Sequence, residues 1–112
     1  METTISWEDF SKIDLRTGTV TAVYDFPEAR NPSFKLDIDF GPEIGVKKTS
    51  AQVTEKYDKE DIVGLQVIAV VNFPKKQIAN FMSECLILGA VENSSVVLLQ
   101  PQMTVPNGLK IS

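Results

Sequence analysis

Histidine is absent from this 112-residue chain, and cysteine occurs once. Without an imidazole, a Ser-His-Asp triad, a Cys-His dyad and His-ligated zinc are all excluded within one chain. A lone Cys85 excludes an intramolecular disulfide and a CxxC site. No apolar run reaches the roughly 18 residues that a membrane-spanning helix needs, so no span is expected. The N-terminal METTISWEDF lacks a basic region followed by a long apolar one, so no signal peptide is expected. A free cysteine without an export signal fits a reducing cytoplasm. A basic excess is lacking too: 11 Lys and Arg face 15 Asp and Glu, for a net charge of −4. Nucleic-acid binders usually carry the opposite balance. The deficit lies in residues 1–61, whereas beyond them Lys75, Lys76 and Lys110 face only Glu84 and Glu92. Because screening acts over about 8 Å at physiological salt, a local cationic patch can still work on an acidic chain.

What is present is the material of one folded core. The composition, 43% hydrophobic and 23% charged, is neither disordered nor membrane-like. The length predicts a single domain over 1–112. Ser6 can cap a short helix from Trp7, with Asp9 as the reciprocal partner, and Trp7 is expected to pack that helix on the rest. From Leu15 to Tyr24 the chain is rich in β-branched residues, and Gly18 predicts a bulge or bend. Phe34, Leu36, Ile38 and Phe40 alternate with Lys35, Asp37 and Asp39, which predicts a half-buried strand. Further strands are expected over 46–50, 67–73, 85–91 and 96–99, a helix or turn over 57–62, and a loop over 75–82. About six short strands with a leading helix predict an all-β fold, a small closed barrel. Several strands are apolar on both faces, so their outer sides need a cover: a second subunit or the 100–112 tail.

Three blocks resemble a known family. Asp14-Leu15-Arg16-Thr17-Gly18-Thr19-Val20 looks like the opening strand of tRNA-binding OB-fold domains. Phe26-Pro27-Glu28-Ala29-Arg30 is the second block, and residues 70–84, from Val70 through Asn72 and Lys76 to Ser83 and Glu84, are the third. With Ser6-Trp7-Glu8-Asp9-Phe10 and the segment 47–54, the whole is most similar to the CsaA family. That resemblance implies an OB-fold barrel of five to six strands with a short N-terminal helix. It implies a cytoplasmic homodimer acting as an export chaperone on unfolded preproteins or peptides, with tRNA binding as the alternative. Asn72 matches the family Asn, Lys76 the basic position (usually Arg), Ser83 the Ser position, and Leu86 a position that is Met in dedicated tRNA binders. Asn80 stands where relatives often have Gly, and Asn tolerates a left-handed backbone. The Lys-for-Arg and Leu-for-Met departures imply weaker tRNA affinity.

Lys75 and Lys76 in a Pro-containing loop, with Lys47 and Lys48 on a neighbouring strand, form a phosphate groove if the barrel brings them together. Apart, they are solvated surface charges. Arg30 and Lys35 would extend the track. Phe34, Phe73 and Phe81 are candidates for stacking, and Phe81, beside the adaptable Met82, is the one expected to be exposed. The same Phe81–Met82 pair suits a peptide ligand. Ser83 either hydrogen-bonds a ligand or caps the loop before the next strand, and Glu84 either pairs with Lys76, orders the site or faces solvent. Cys85 is expected to be a small buried hydrophobe. Asp37 and Asp39 share a strand face without a further ligand, and are expected on a solvated edge. No catalytic residue, metal or cofactor is expected, and the chain is expected not to be an enzyme.

Overall fold

In the computed structural model, which describes residues 3–112, two short helices and nine strands are assigned among the described residues. They are α1 (Trp7–Ser11), β1 (Leu15–Asp25), β2 (Phe34–Asp39), β3 (Val46–Ala51), α2 (Lys59–Ile62), β4 (Gln66–Val70), β5 (Lys76–Ile78), β6 (Phe81–Ser83), β7 (Leu86–Ile87), β8 (Gly89–Glu92) and β9 (Ser95–Leu98). Five strands form one antiparallel sheet in the order β3-β2-β1-β4-β7. The sheet coils until its edges meet. Glu84 N–H donates to the Lys48 carbonyl at 2.7 Å, and Thr49 Oγ1 donates to the Cys85 carbonyl at 2.8 Å. The product is a nearly closed, OB-like all-β barrel, as the strand pattern and the resemblance led one to expect.

Strand β1 makes closure possible by serving two neighbours in turn. Leu15–Thr19 pair with β4 and Thr19–Asp25 with β2. The register irregularity falls between Val20 and Ala22 and not at Gly18. Gly18 has a different reason: a Cβ there would stand 2.7 Å from Ile38 Cγ2 and from Phe40 Cδ1. Only a bare backbone lets β1 cross the core this closely. Leu36, Ile38 and Phe40 are buried from β2 and its end, with Val20, Val67, Ala69, Cys85, Ile87 and Leu98 from the other walls. Ile62 of α2 is fully buried and joins the same core.

The apolar run 85–91 divides into β7, which pairs with β4, and β8, which leaves the barrel to pair with β9. The C-terminal segment turns back onto its own chain. Thr17 N–H donates to Leu109 O, Gly108 N–H to Thr17 O and Ile111 N–H to Leu15 O, along the stretch of β1 that β2 leaves unpaired, on the edge opposite β4. Thr17 Oγ1 donates to Pro106 O, while Gln66 exchanges two hydrogen bonds with the backbone of Val105.

Two further expectations need correction. Trp7 does not pack on the barrel but is 89% exposed, because α1 is barely one turn long and buries no residue. Ser6 and Asp9 do form the reciprocal cap. The left-handed residue near position 80 is Ala79, with φ of 53°, and not Asn80. Ala79 and Asn80 are the central pair of the β5–β6 turn, and positive φ at the first of them is a glycine position. Ala79→Gly is therefore expected to stabilise the hairpin by about 0.5–1 kcal/mol. Slower amide exchange over 76–83 would register the gain; no change or faster exchange would count against this turn geometry.

Candidate functional site

Two loops flank the open side of the barrel: residues 26–33 between β1 and β2, and residues 71–85 between β4 and β7, which carry the β5–β6 hairpin. These positions correspond to the loops with which OB barrels contact their ligands. The hairpin stands off the barrel as its own two-stranded sheet. Between it and the end of β3 lies a cavity of about 720 Å³, within the range of ligand pockets. Phe73, Pro74, Ile78 and Leu86 supply its apolar wall, and Thr49, Ser50 and Ser83 its hydroxyls. Phe73 and Leu86 are 53% and 47% exposed, so their apolar surface is available to a ligand. A second hollow of about 570 Å³ continues from the first through Ser50, Ile78 and Leu86 toward β8.

Of the residues singled out in the sequence, Phe73, Lys75, Lys76, Ser83, Cys85 and Leu86 line this first cavity. Glu84 sits at the hairpin base, where its Oε1 accepts from Lys48 N–H at 2.9 Å. Its other oxygen lies 3.6 Å from Lys75 Nζ, so it pairs with Lys75 and not with Lys76. Lys76 has no ion-pair partner among the described residues. Lys47 and Lys48 lie on β3 outside the cavity lining, and Arg30 lines the second hollow.

Lys35 does not reach the cavity. Its ammonium lies 5.4 Å from the Phe26 ring centre and 5.8 Å from that of Phe81, and the two rings meet edge-on at 5.4 Å. Of the three stacking candidates the exposed one is Phe73, with Phe81 half-buried against Phe26. Met82 follows Phe81 in β6 and points to the opposite face, so the two do not form one surface.

Asn72 is committed to the scaffold. Its Oδ1 accepts from Asp14 N–H at 3.0 Å and its Nδ2 donates to Lys12 O at 2.7 Å, tying the loop's first residues to the start of β1. Arg16 is likewise structural: it pairs with Asp14 and donates to Gly108 O at 3.0 Å. Ser83 Oγ donates to Cys85 O at 3.2 Å and lies 3.3 Å from Thr49 Oγ1, combining a cap with a place on the cavity wall. Burial pushes the Cys85 thiol up to about 12, which keeps it protonated at neutral pH as a core side chain. Thr49, Ser50, Gln77 and Ile78 are lining residues that the sequence did not single out. For Gln77 and Ile78 the signal was the short Lys76-Gln77-Ile78 and Phe81-Met82-Ser83 pair around a two-residue turn.

Comparison with known proteins places this geometry. Residues 15–110 match the family described as "Putative tRNA binding domain". The chaperone CsaA of Bacillus anthracis str. Ames is 55% identical, with a TM-score of 0.93 over 98% of this chain and 100% of that one. The CsaA chaperone protein of Picrophilus torridus is 51% identical, with a TM-score of 0.91 over 97% and 100%. The methionine–tRNA ligase of Thermococcus onnurineus is 31% identical over 96% of this chain, which spans only 14% of that enzyme's length. The chain thus belongs to the tRNA-binding-domain family, and within it to the CsaA proteins.

Proposed function

We propose that the chain is a non-catalytic, cytoplasmic chaperone that holds unfolded segments of export-destined polypeptide in the cavity between the β5–β6 hairpin and β3. One observation carries the reading: an open cavity walled by Phe73, Pro74, Ile78 and Leu86, with hydroxyls but few free charges. Such a lining accepts varied apolar side chains and gives the ligand's main chain hydrogen-bond partners. The chain's likeness to two CsaA chaperones, over the whole of each solved chain, supports the reading. The site comprises Ser83, Leu86, Lys75 and Lys76, with Glu84 and Asn72 setting the loop. Arg30 borders the adjoining hollow, and Met82, Lys47 and Lys48 are peripheral. The working form is a homodimer, since Ile5, Trp7, Val91 and Met103 are each about 70% exposed or more, and a second copy is the simplest cover.

Binding of tRNA is the second reading, favoured by the match over residues 15–110 and by the free Lys76. Salt separates the two. A reduced, denatured polypeptide is expected to bind with little change between about 50 and about 200 mM salt, because apolar burial is insensitive to screening. A tRNA held by about four phosphate contacts would lose roughly 50-fold in affinity over the same range. Tight, salt-steep tRNA binding without polypeptide binding would reverse the order of the two readings.

A further inference from the structure

The β5–β6 hairpin has three residues in each strand and is not paired to the barrel sheet. A two-stranded ribbon of this size is not stable alone, so something must hold it where it walls the cavity. At its base the Glu84–Lys48 main-chain bond and the Thr49–Ser83 hydroxyl contact anchor it. Near its tip the anchor is Phe81, which meets the buried Phe26 of the other loop. Lys35 lies over both rings, half-buried, and no carboxylate is within ion-pair distance of it among the described residues. An ammonium so placed finds its counter-charge in the two ring faces.

We propose that Phe26, Phe81 and Lys35 form a clasp that locks the two loops together, and that Lys35 and Phe81 are positioning residues for the cavity and not ligand contacts. The inference rests on the cavity being the binding site, but its first test needs no ligand. Closed, the clasp holds the Ile78 and Ser83 wall against β3; released, the hairpin pivots on Glu84 and the wall is lost. The ligand's affinity is then set partly by a contact that the ligand never touches, because an unclasped site must be ordered during binding.

Amide hydrogen exchange of the free protein tests the clasp in Lys35→Met, Lys35→Arg and Phe81→Ala variants. Lys35→Met keeps the aliphatic contact and removes the charge. It is expected to speed exchange over residues 76–83 about tenfold, matching a desolvated cation–π contact. Lys35→Arg is expected to restore exchange to within about twofold, since guanidinium also sits on rings. Phe81→Ala should loosen the hairpin further, while β1, β2 and β4 amides stay as they are. Unchanged hairpin exchange in both Lys35→Met and Phe81→Ala, or equal acceleration throughout the barrel, would overturn the proposal. Affinity for a denatured polypeptide gives the second readout: a fall of about tenfold in Lys35→Met, recovered in Lys35→Arg. Loosened exchange with unaltered affinity would overturn the positioning role. Failure of the wild-type protein to bind polypeptide would instead strike the functional reading, leaving the exchange result to decide the clasp.

Discussion

Gly108→Ala is expected to lower stability by about 3 kcal/mol, whereas Gly45→Ala, at the same backbone angle, should cost only about 1–2 kcal/mol. Both glycines have φ of +85°, a conformation that disfavours any side chain. They differ in their surroundings. A Cβ at Gly45 meets nothing within 4 Å, but one at Gly108 would stand 2.5 Å from the Phe40 carbonyl oxygen. That oxygen is backbone and cannot swing aside, so the C-terminal segment must lift from β1. Gly108 N–H would then lose Thr17 O, and Leu109 would lose both the amide and the hydroxyl of Thr17, a residue 1% exposed. Thermal unfolding of the two variants side by side checks the steric part. Equal losses would mean that the tail is not seated as described.

The second large effect is on binding. Leu86→Ser is expected to weaken polypeptide affinity roughly 10- to 100-fold, the equivalent of one well-buried apolar contact. Leu86 is 47% exposed and borders both hollows, so an extended ligand passing from one to the other must cross it. Its exposure also means that the variant should unfold within about 0.5 kcal/mol of the wild type. Lys76→Ala should change polypeptide affinity by less than about threefold, as an exposed charge contributes little. If the loss instead followed Lys76 and spared Leu86, the ligand would be held by charge. The tRNA reading would then move to the front.

How far the sequence anticipates this structure depends on which forces decide each element. The alternation from Phe34 to Phe40 places a strand because every second side chain enters the core, and it does. The Ser6–Asp9 cap is equally local. The β5–β6 hairpin escaped because its turn, Ala79-Asn80, lacks the glycine that signals a reversal, and its strands are three residues long. Trp7 is exposed against expectation because a large apolar side chain carries no mark of whether its own chain covers it.

Within the site, the residue types were visible and their partners were not. Lys75 and Lys76 are adjacent and alike in sequence, yet one is tethered by Glu84 and the other has no ion-pair partner among the described residues. Lys35 and Phe81 are separated by 46 positions and meet only because two loops do, through contacts that no periodicity encodes. Asn72 stands where the resemblance puts the family Asn, while both ends of its side-chain amide are spent on the protein's own backbone.

The most direct test of the cavity as a polypeptide site is to follow the backbone amide resonances of isotope-labelled protein as a reduced, denatured polypeptide is added. The account predicts that the largest shifts cluster at Thr49 and Ser50, at Phe73 through Ile78, and at Ser83 through Leu86. Shifts confined to α1, the C-terminal segment or the outer face of β1 and β2, with the cavity silent, would contradict it.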